Sequence, residues 1–370
     1  MNRIFTTSLL ILGIAAFGTW LVRPDDGASR EAAETIIAEL NHSCLGCGPV
    51  DESPDKKEYE HAMAFAFIAV AAANLNNTSV CRAAADWLVS HNQPGWGLGF
   101  EWDAFGDQSV NPANTVYGIT VAVAARGLLV AYRKCNNASY LKAAVSALDY
   151  YSRFFIDTPN GGQFWYSDQS SDAIATANIS AMLVAPFAEA GELASRPDLV
   201  ERADRVAKDL MLRRLSVGDF EYWKYSTKNN AINDAVHSAM IVLGLLEYRK
   251  LRGIELQLDR SIAYLRTFIS DGKILEFSPA TPAPEGLEDN PARLWAIGAL
   301  AAAFEEAGDH KTAKLTLDRM KSYQVTPGKY SNTPESSKQD VRMLAFALFG
   351  LSKVAQSSPL TRLRNKYESH

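Results

Sequence analysis

Ile174-Ala-Thr-Ala-Asn-Ile-Ser-Ala-Met182 returns as Ile232-Asn-Asp-Ala-Val-His-Ser-Ala-Met240. Each copy opens a long apolar stretch. Each also follows an aromatic, strand-like segment, Gln163-Phe-Trp-Tyr-Ser167 in one case and Glu221-Tyr-Trp-Lys-Tyr-Ser226 in the other. The spacing defines a repeat of about 58 residues, read as helix, short turn, second helix and long loop. Outward from this pair, apolar helices are expected to begin near Glu60, Asn114, Thr176, Asn233, Pro291 and Asp340. More polar helices follow from near Thr78, Ser139, Pro197, Glu255 and His310. The turns inside each pair are short (Asn76-Asn77, Cys135 to Ala138, Gly308-Asp309), whereas the loops between pairs run to roughly 15 to 20 residues, a length that usually has a functional reason.

Runs such as Ala62 to Ala73, Ile119 to Ala131 and Ile297 to Phe304 are apolar on every face, as buried helices are. The partner helices are striped: Leu199, Ala203, Val206, Leu210 and Leu212 read as facing inward, with Glu201, Arg202, Asp204, Arg205 and Asp209 facing out. Six inner helices but five outer ones follow, so Glu31–Leu40 is expected to supply the twelfth and to pack beside the last inner helix. The fold class is therefore all-α: an (α/α)6 toroid of helical hairpins with its long loops on one rim.

The expected organisation is a targeting segment over residues 1–25, an N-terminal helix and linker over 26–57, and the toroid over 58–370. Met1-Asn2-Arg3 precedes an uncharged apolar run from Ile4 to Val22, which is long enough to be a signal anchor. Ala16-Phe17-Gly18 equally offers a small-residue cleavage site. Either way the body is expected outside the cytoplasm, periplasmic or extracellular, with membrane contact through residues 4–22 if they are retained. A net charge of -5 and the lack of a basic run argue against a nucleic-acid partner. Four cysteines suit an oxidising compartment. Cys44-Leu-Gly-Cys47 reads as a local disulfide, and Cys81 could reach Cys135 if their helices are neighbours.

Aromatic residues gather in the loops: Trp96, Trp102, Trp165, Tyr166 and Trp223, with Trp295 at the start of an inner helix. Flat rings stack on the C–H faces of sugars and lose little entropy in doing so, so these are candidate substrate-binding residues. Acids are dense in the same loops, among them Glu101, Asp107, Asp168, Glu221, Glu276, Glu288 and Asp289. Asp103, Asp172, Asp234 and Asp340 are the candidates for the two carboxylates that glycoside hydrolysis needs. Asp234, Asp289 and Asp340 also stand where helix caps are expected. The repeat alignment sets His237 against Ile179 and Asp234 against Thr176, polar residues that the scaffold does not require. His237 follows Asp234 by three positions and so shares its helix face. Tyr222 and Tyr225 lie just before it, and the four form a candidate proton-transfer set. Arg293 and Arg342 are candidates to hold a substrate carboxylate. No phosphate loop, dinucleotide fingerprint, HExxH, GxSxG or acidic prenyl diphosphate motif occurs, and no cofactor or metal is expected.

Through these residues the body, about Glu58 to Gln356, resembles the six-hairpin toroid superfamily of carbohydrate-active proteins. Glu221-Tyr-Trp-Lys-Tyr225 through Asp234-Ala-Val-His237 to Glu247-Tyr-Arg249 is similar to the C-terminal domain of glucuronyl C5-epimerases. Gly162-Gln-Phe-Trp-Tyr166 is similar to the loop before an inner helix of unsaturated glucuronyl hydrolases. The chain lacks the β-rich epimerase domains and the Asn-Asn-His-x-Tyr-Trp motif of alginate lyases of this fold. The resemblance implies the toroid fold and a glycan ligand; with the candidate residues above, the expected function is an exported protein acting on a uronate-containing polysaccharide or oligosaccharide by proton transfer or glycosidic hydrolysis. The alternative is a non-catalytic glycan-binding or scaffold subunit that partners polysaccharide synthesis and export proteins. A terpene-type cyclase is a third and weaker reading.

Overall fold

The structure is a computed structural model, and it describes residues 26–41, 44–51, 53, 58–92, 94–226 and 233–357. The expected targeting segment lies outside the described residues. No helix among the described residues is long and apolar enough to cross a membrane.

Twelve α-helices are described. The inner six are α2 (Ala62–Asn74), α4 (Gly118–Cys135), α6 (Ala177–Leu193), α8 (Ala235–Arg252), α10 (Leu294–Glu306) and α12 (Val341–Gln356). The outer six are α1 (Asp26–Leu40), α3 (Thr78–Ser90), α5 (Ala138–Tyr151), α7 (Pro197–Leu212), α9 (Asp259–Arg266) and α11 (His310–Asp318). Each inner helix packs on the next, and α12 returns to pack on α2, so the ring closes. The N-terminal helix α1 packs on α12 and is the twelfth helix that the repeat requires.

Closure depends on missing side chains. A Cβ on Gly244 of α8 would lie 2.1 Å from the Ala181 carbonyl oxygen of α6, and one on Gly298 of α10 would lie 2.3 Å from that of Phe346 on α12. Most inner-helix side chains are buried, including Phe67, Phe187, Phe304 and Phe346. The helices are apolar all round because they face outer helices on one side and the ring interior on the other.

Two readings of the outer stripe need correction. Leu212 is 59% exposed, since two residues past Leu210 is more than half a helical turn away. Asp209 is buried, and it accepts hydrogen bonds from Thr158 and Gln163 (2.5 Å each) and pairs with Arg213 at 2.8 Å. It anchors a loop instead of facing solvent.

The long loops are also more ordered than their composition suggests. Two-stranded antiparallel hairpins follow α1, α5, α7, α9 and α11: β1–β2 (Cys47–Pro49, Glu58–Glu60), β3–β4 (Phe155–Thr158, Gly161–Phe164), β5–β6 (Leu215–Val217, Phe220–Tyr222), β7–β8 (Ile269–Ser270, Lys273–Ile274) and β9–β10 (Gln324–Thr326, Lys329–Tyr330). Strands of two to four residues are too short to display alternation in sequence. The hairpin after α1 repeats the pattern of the others and supports its place as an outer helix. Cys44 and Cys47 form the disulfide before β1, while Cys81 and Cys135 are free thiols beside each other. Burial and the Cys135 sulfur push the Cys81 thiol up to about 12.

Candidate functional site

A repeated hydrogen bond builds the rim. The first N–H of each of four inner helices is taken by a carbonyl just beyond the next hairpin. Gly118 donates to Tyr166 (3.0 Å), Ala177 to Tyr225 (3.1 Å), Ala235 to Glu276 (2.8 Å) and Leu294 to Asn332 (2.8 Å). Helix N-termini leave such donors unpaired within the helix. The tether therefore locks each loop to the neighbouring unit, and it gives Tyr166, Tyr225, Glu276 and Asn332 equivalent positions around the rim.

The densest polar cluster lies where two of these units meet. Asp234 is the N-cap of α8. Its Oδ1 accepts the His237 backbone N–H at 2.9 Å and lies 2.7 Å from His237 Nδ1. Arg293, the N-cap residue of α10, donates through Nε to Glu276 Oε1 at 3.1 Å and through Nη2 to Asp234 Oδ2 at 3.4 Å. Its guanidinium sits 4.9 Å above the Trp295 ring. Tyr225 meets the His237 ring edge-on at 4.9 Å, and Trp295 lies on the other flank at 6.4 Å. Tyr225 also bonds Tyr166, whose ring packs against Phe105 (4.7 Å) and Tyr117 (5.7 Å), with Trp102 beyond at 5.3 Å from Tyr117. The result is a continuous aromatic wall from Trp102 to Trp295.

The electrostatics divide the two carboxylates. Burial, and then the charge of Asp234, pushes the Glu276 carboxyl above its ordinary range. Burial would raise Asp234 too, but His237 and Arg293 outweigh it and hold that carboxyl low. Burial and Asp234 push the Tyr225 phenol well up, which favours its protonated form and suits it to hydrogen-bond donation. Several buried polar atoms at this end have no hydrogen-bond partner among the described residues: Trp295 Nε1, Asn178 Oδ1, Thr176 Oγ1 and Asn233 Oδ1. Such atoms are costly unless something satisfies them.

Other candidates are placed differently. Trp96 and Trp223 are buried, with their indole N–H groups on the carbonyls of Leu88 (3.1 Å) and Leu210 (2.8 Å), so they pin loops to outer helices and are not an exposed platform. Trp165 is half-buried and packs on Phe154 at 5.7 Å. Tyr222 stacks on Tyr264 of α9. Asp103 accepts the backbone N–H groups of Asp107 and Gln108 and shapes a turn. Asp172 is buried, bonded by Asn111 (2.6 Å) and Ser167 (2.7 Å). Asp340 caps α12 and is bound by Arg342 Nη2 at 2.6 Å, so the two form a buried ion pair. Of the four aspartates proposed for hydrolysis, only Asp234 joins the cluster. Glu276 was legible as a loop acid but not as its partner; its equivalence to Tyr225 after a hairpin is the signal that would have found it.

No family model matches the chain, and neither does any curated protein. Solved structures do share its fold. A family 76 α-mannanase of Bacteroides thetaiotaomicron aligns with TM-score 0.62 and 14% identity over 92% of this chain and 97% of its own. The cellobiose 2-epimerase of Bacillus thermoamylovorans gives 0.61 and 12% over 89% and 99%. An unsaturated glucuronyl hydrolase of a Bacillus species, responsible for glycosaminoglycan degradation, gives 0.63 and 10% over 90% and 96%. The toroid read from the repeat, and its resemblance to this superfamily, are thus shown at the level of fold.

Proposed function

We propose that the protein is a carbohydrate-active enzyme that moves a proton at a sugar carbon next to a carboxylate or carbonyl group, with a uronate-containing glycan as the favoured substrate. The observation that carries this reading is the Asp234–His237 pair on the aromatic rim. Asp234 accepts from Nδ1, which fixes the tautomer that leaves Nε2 as the base. Nε2 takes the proton from carbon, Arg293 offsets the enolate-like charge that develops, and the Tyr225 hydroxyl, paired with Tyr166, returns a proton. The aromatic wall supplies stacking surface, and the unpartnered Trp295 N–H and Asn178 carbonyl suit sugar hydroxyls. Export, inferred from residues 4–22, would put the enzyme where polysaccharides are processed.

One observation favours a second reading, glycosidic hydrolysis. Glu276 is pushed up and Asp234 held down, which is how an acid and a base are set apart at one pH. Proton NMR of the purified chain in deuterated water, with uronate-containing and neutral oligosaccharides, separates the two. Deuterium at carbon or new alkene signals, lost in His237→Ala, supports proton transfer. New reducing ends lost in Glu276→Gln support hydrolysis. Line broadening without chemical change in any sample overturns both and favours a glycan-binding subunit.

A further inference from the structure

At the opposite end of the torus, where the inner-to-outer turns are short, lies a cavity of about 530 Å³. All six inner helices contribute to it. Such a volume is in the range of small-molecule sites, roughly 300 to 1,000 Å³. Its walls combine apolar side chains (Val70, Val130, Pro186, Leu251, Phe349) with charged ones.

The charged groups form a partly closed network. Lys353 bridges Glu247 at 2.9 Å and Glu306 at 2.6 Å, and Lys250 reaches Glu306 at 2.7 Å. Arg126 donates through Nη2 to Glu247, and its guanidinium lies 5.7 Å from the Phe349 ring. Arg126 is only 7% exposed, and its Nη1 is buried without a hydrogen-bond partner. A guanidinium cannot lose its proton to escape this cost. Burial also pushes the Glu189 carboxyl up, against Arg133. The lining holds five cations, Arg126, Arg133, Lys134, Lys250 and Lys353, against the carboxylates of Glu189, Glu247 and Glu306.

This excess of positive charge is moderated. The C-terminal ends of the inner helices converge here, and each carries partial negative charge. The cations at exposed edges, Arg133 and Lys134, complement those ends. What remains without a hydrogen-bond partner is Arg126 Nη1, with its two N–H bonds, beside an apolar wall, and Glu189 Oε1, which has only the Arg133 ion pair at 2.9 Å. That arrangement suits an anion of single charge with an organic body, and suits a multiply charged anion poorly.

We propose that this basal cavity is a second ligand site, one that takes a small organic monocarboxylate with its carboxylate on Arg126 Nη1 and its body against Phe349 and Pro186. The site is independent of the rim chemistry.

Isothermal titration calorimetry of the full chain with benzoate and butyrate tests it, with benzamide and inorganic phosphate as comparisons. Saturable 1:1 binding of a carboxylate is expected, at least tenfold tighter than benzamide or phosphate. Arg126→Gln should weaken it at least tenfold. Because that variant removes one of the two cations on Glu247 and leaves only Lys353, Arg126→Gln/Glu247→Gln provides a second form in which no carboxylate stands at that position. Three results overturn the proposal: no saturable binding of either carboxylate, equal binding of benzamide or phosphate, or undiminished binding in a folded Arg126 variant.

Discussion

Asp234 Oδ1 holds both ends of one residue: it accepts the His237 backbone N–H at 2.9 Å and lies 2.7 Å from the His237 imidazole Nδ1. A helix cap and a histidine orienter are the same atom. The first turn of α8 therefore fixes where the imidazole points, which loop-borne residues seldom achieve. The other Asp234 oxygen reaches Arg293 across the unit boundary at 3.4 Å, coupling two repeats in one cluster.

His237→Ala should abolish proton exchange at carbon while the helical circular dichroism is retained. General acid–base groups contribute typically 10²- to 10⁴-fold, so a loss of that order in kcat is expected. Full exchange by a folded variant would remove His237 from the mechanism.

Asp234→Asn separates the roles of this residue. Asparagine still caps a helix, so the cap accounts for little of any stability change. The loss expected instead is in kcat, through the wrong imidazole tautomer. The stability difference from the parent should also depend on pH. The Asp234 carboxyl is held below its ordinary range, so its contribution is full above about pH 4 and fades as pH falls further. Urea midpoints at pH 7 and pH 3 measure this; a difference that grows on acidification would contradict it.

His61 gives the opposite kind of test, on a base. It caps α2 through Nδ1 (3.2 Å from Met63 N), and burial and then Arg342 push it down to about 3. The unfolded chain binds this proton below about 6.5 and the folded one does not. Stability should therefore fall as pH drops from 6.5 toward 3, by up to a few kcal/mol. His61→Asn keeps a capping side chain and removes the titration, so its stability should vary less across that window. Parallel pH profiles for the two proteins would show that His61 is not responsible.

Gly244→Ala and Gly298→Ala should each destabilise the ring by about 1 to 3 kcal/mol, because the new methyl meets backbone of a neighbouring inner helix. Gly218→Ala makes a useful comparison: no atom lies within 4 Å of its would-be Cβ, so only the strain of φ 54° remains. Thermal melts rank the three, and equal effects would mean that helix approach is not limiting.

Trp223→Ala should cost about 3 to 5 kcal/mol of stability, as truncating a buried aromatic does. Trp102→Ala, at a half-buried residue on the aromatic wall, should mainly raise KM for a glycan. The reverse pattern would move the binding surface away from this wall.

The repeat between Ile174 and Ile232, with its unequal loops, was enough to predict inner and outer helices, their order and closure by the N-terminal helix. Helical periodicity is local: each helix announces its environment through its own side chains, and a single hairpin cannot bury its apolar face without its neighbours. The Asp234–His237 pair was legible for the same reason, since three residues on a helix fix a contact. Which loop residues face a ligand was not legible. Trp96 and Trp223 have the composition of a binding platform, but their N–H groups found carbonyls on outer helices. Asp172 and Asp340 look like Asp234 in sequence and are instead spent on Asn111, Ser167 and Arg342. Glu276 joined Arg293 and Asp234 through a tether between units, from the Ala235 N–H to its own carbonyl. The basal cavity depends on six helix ends meeting. Contacts between residues dozens of positions apart are set by how the ring closes, and only the tertiary structure decides them.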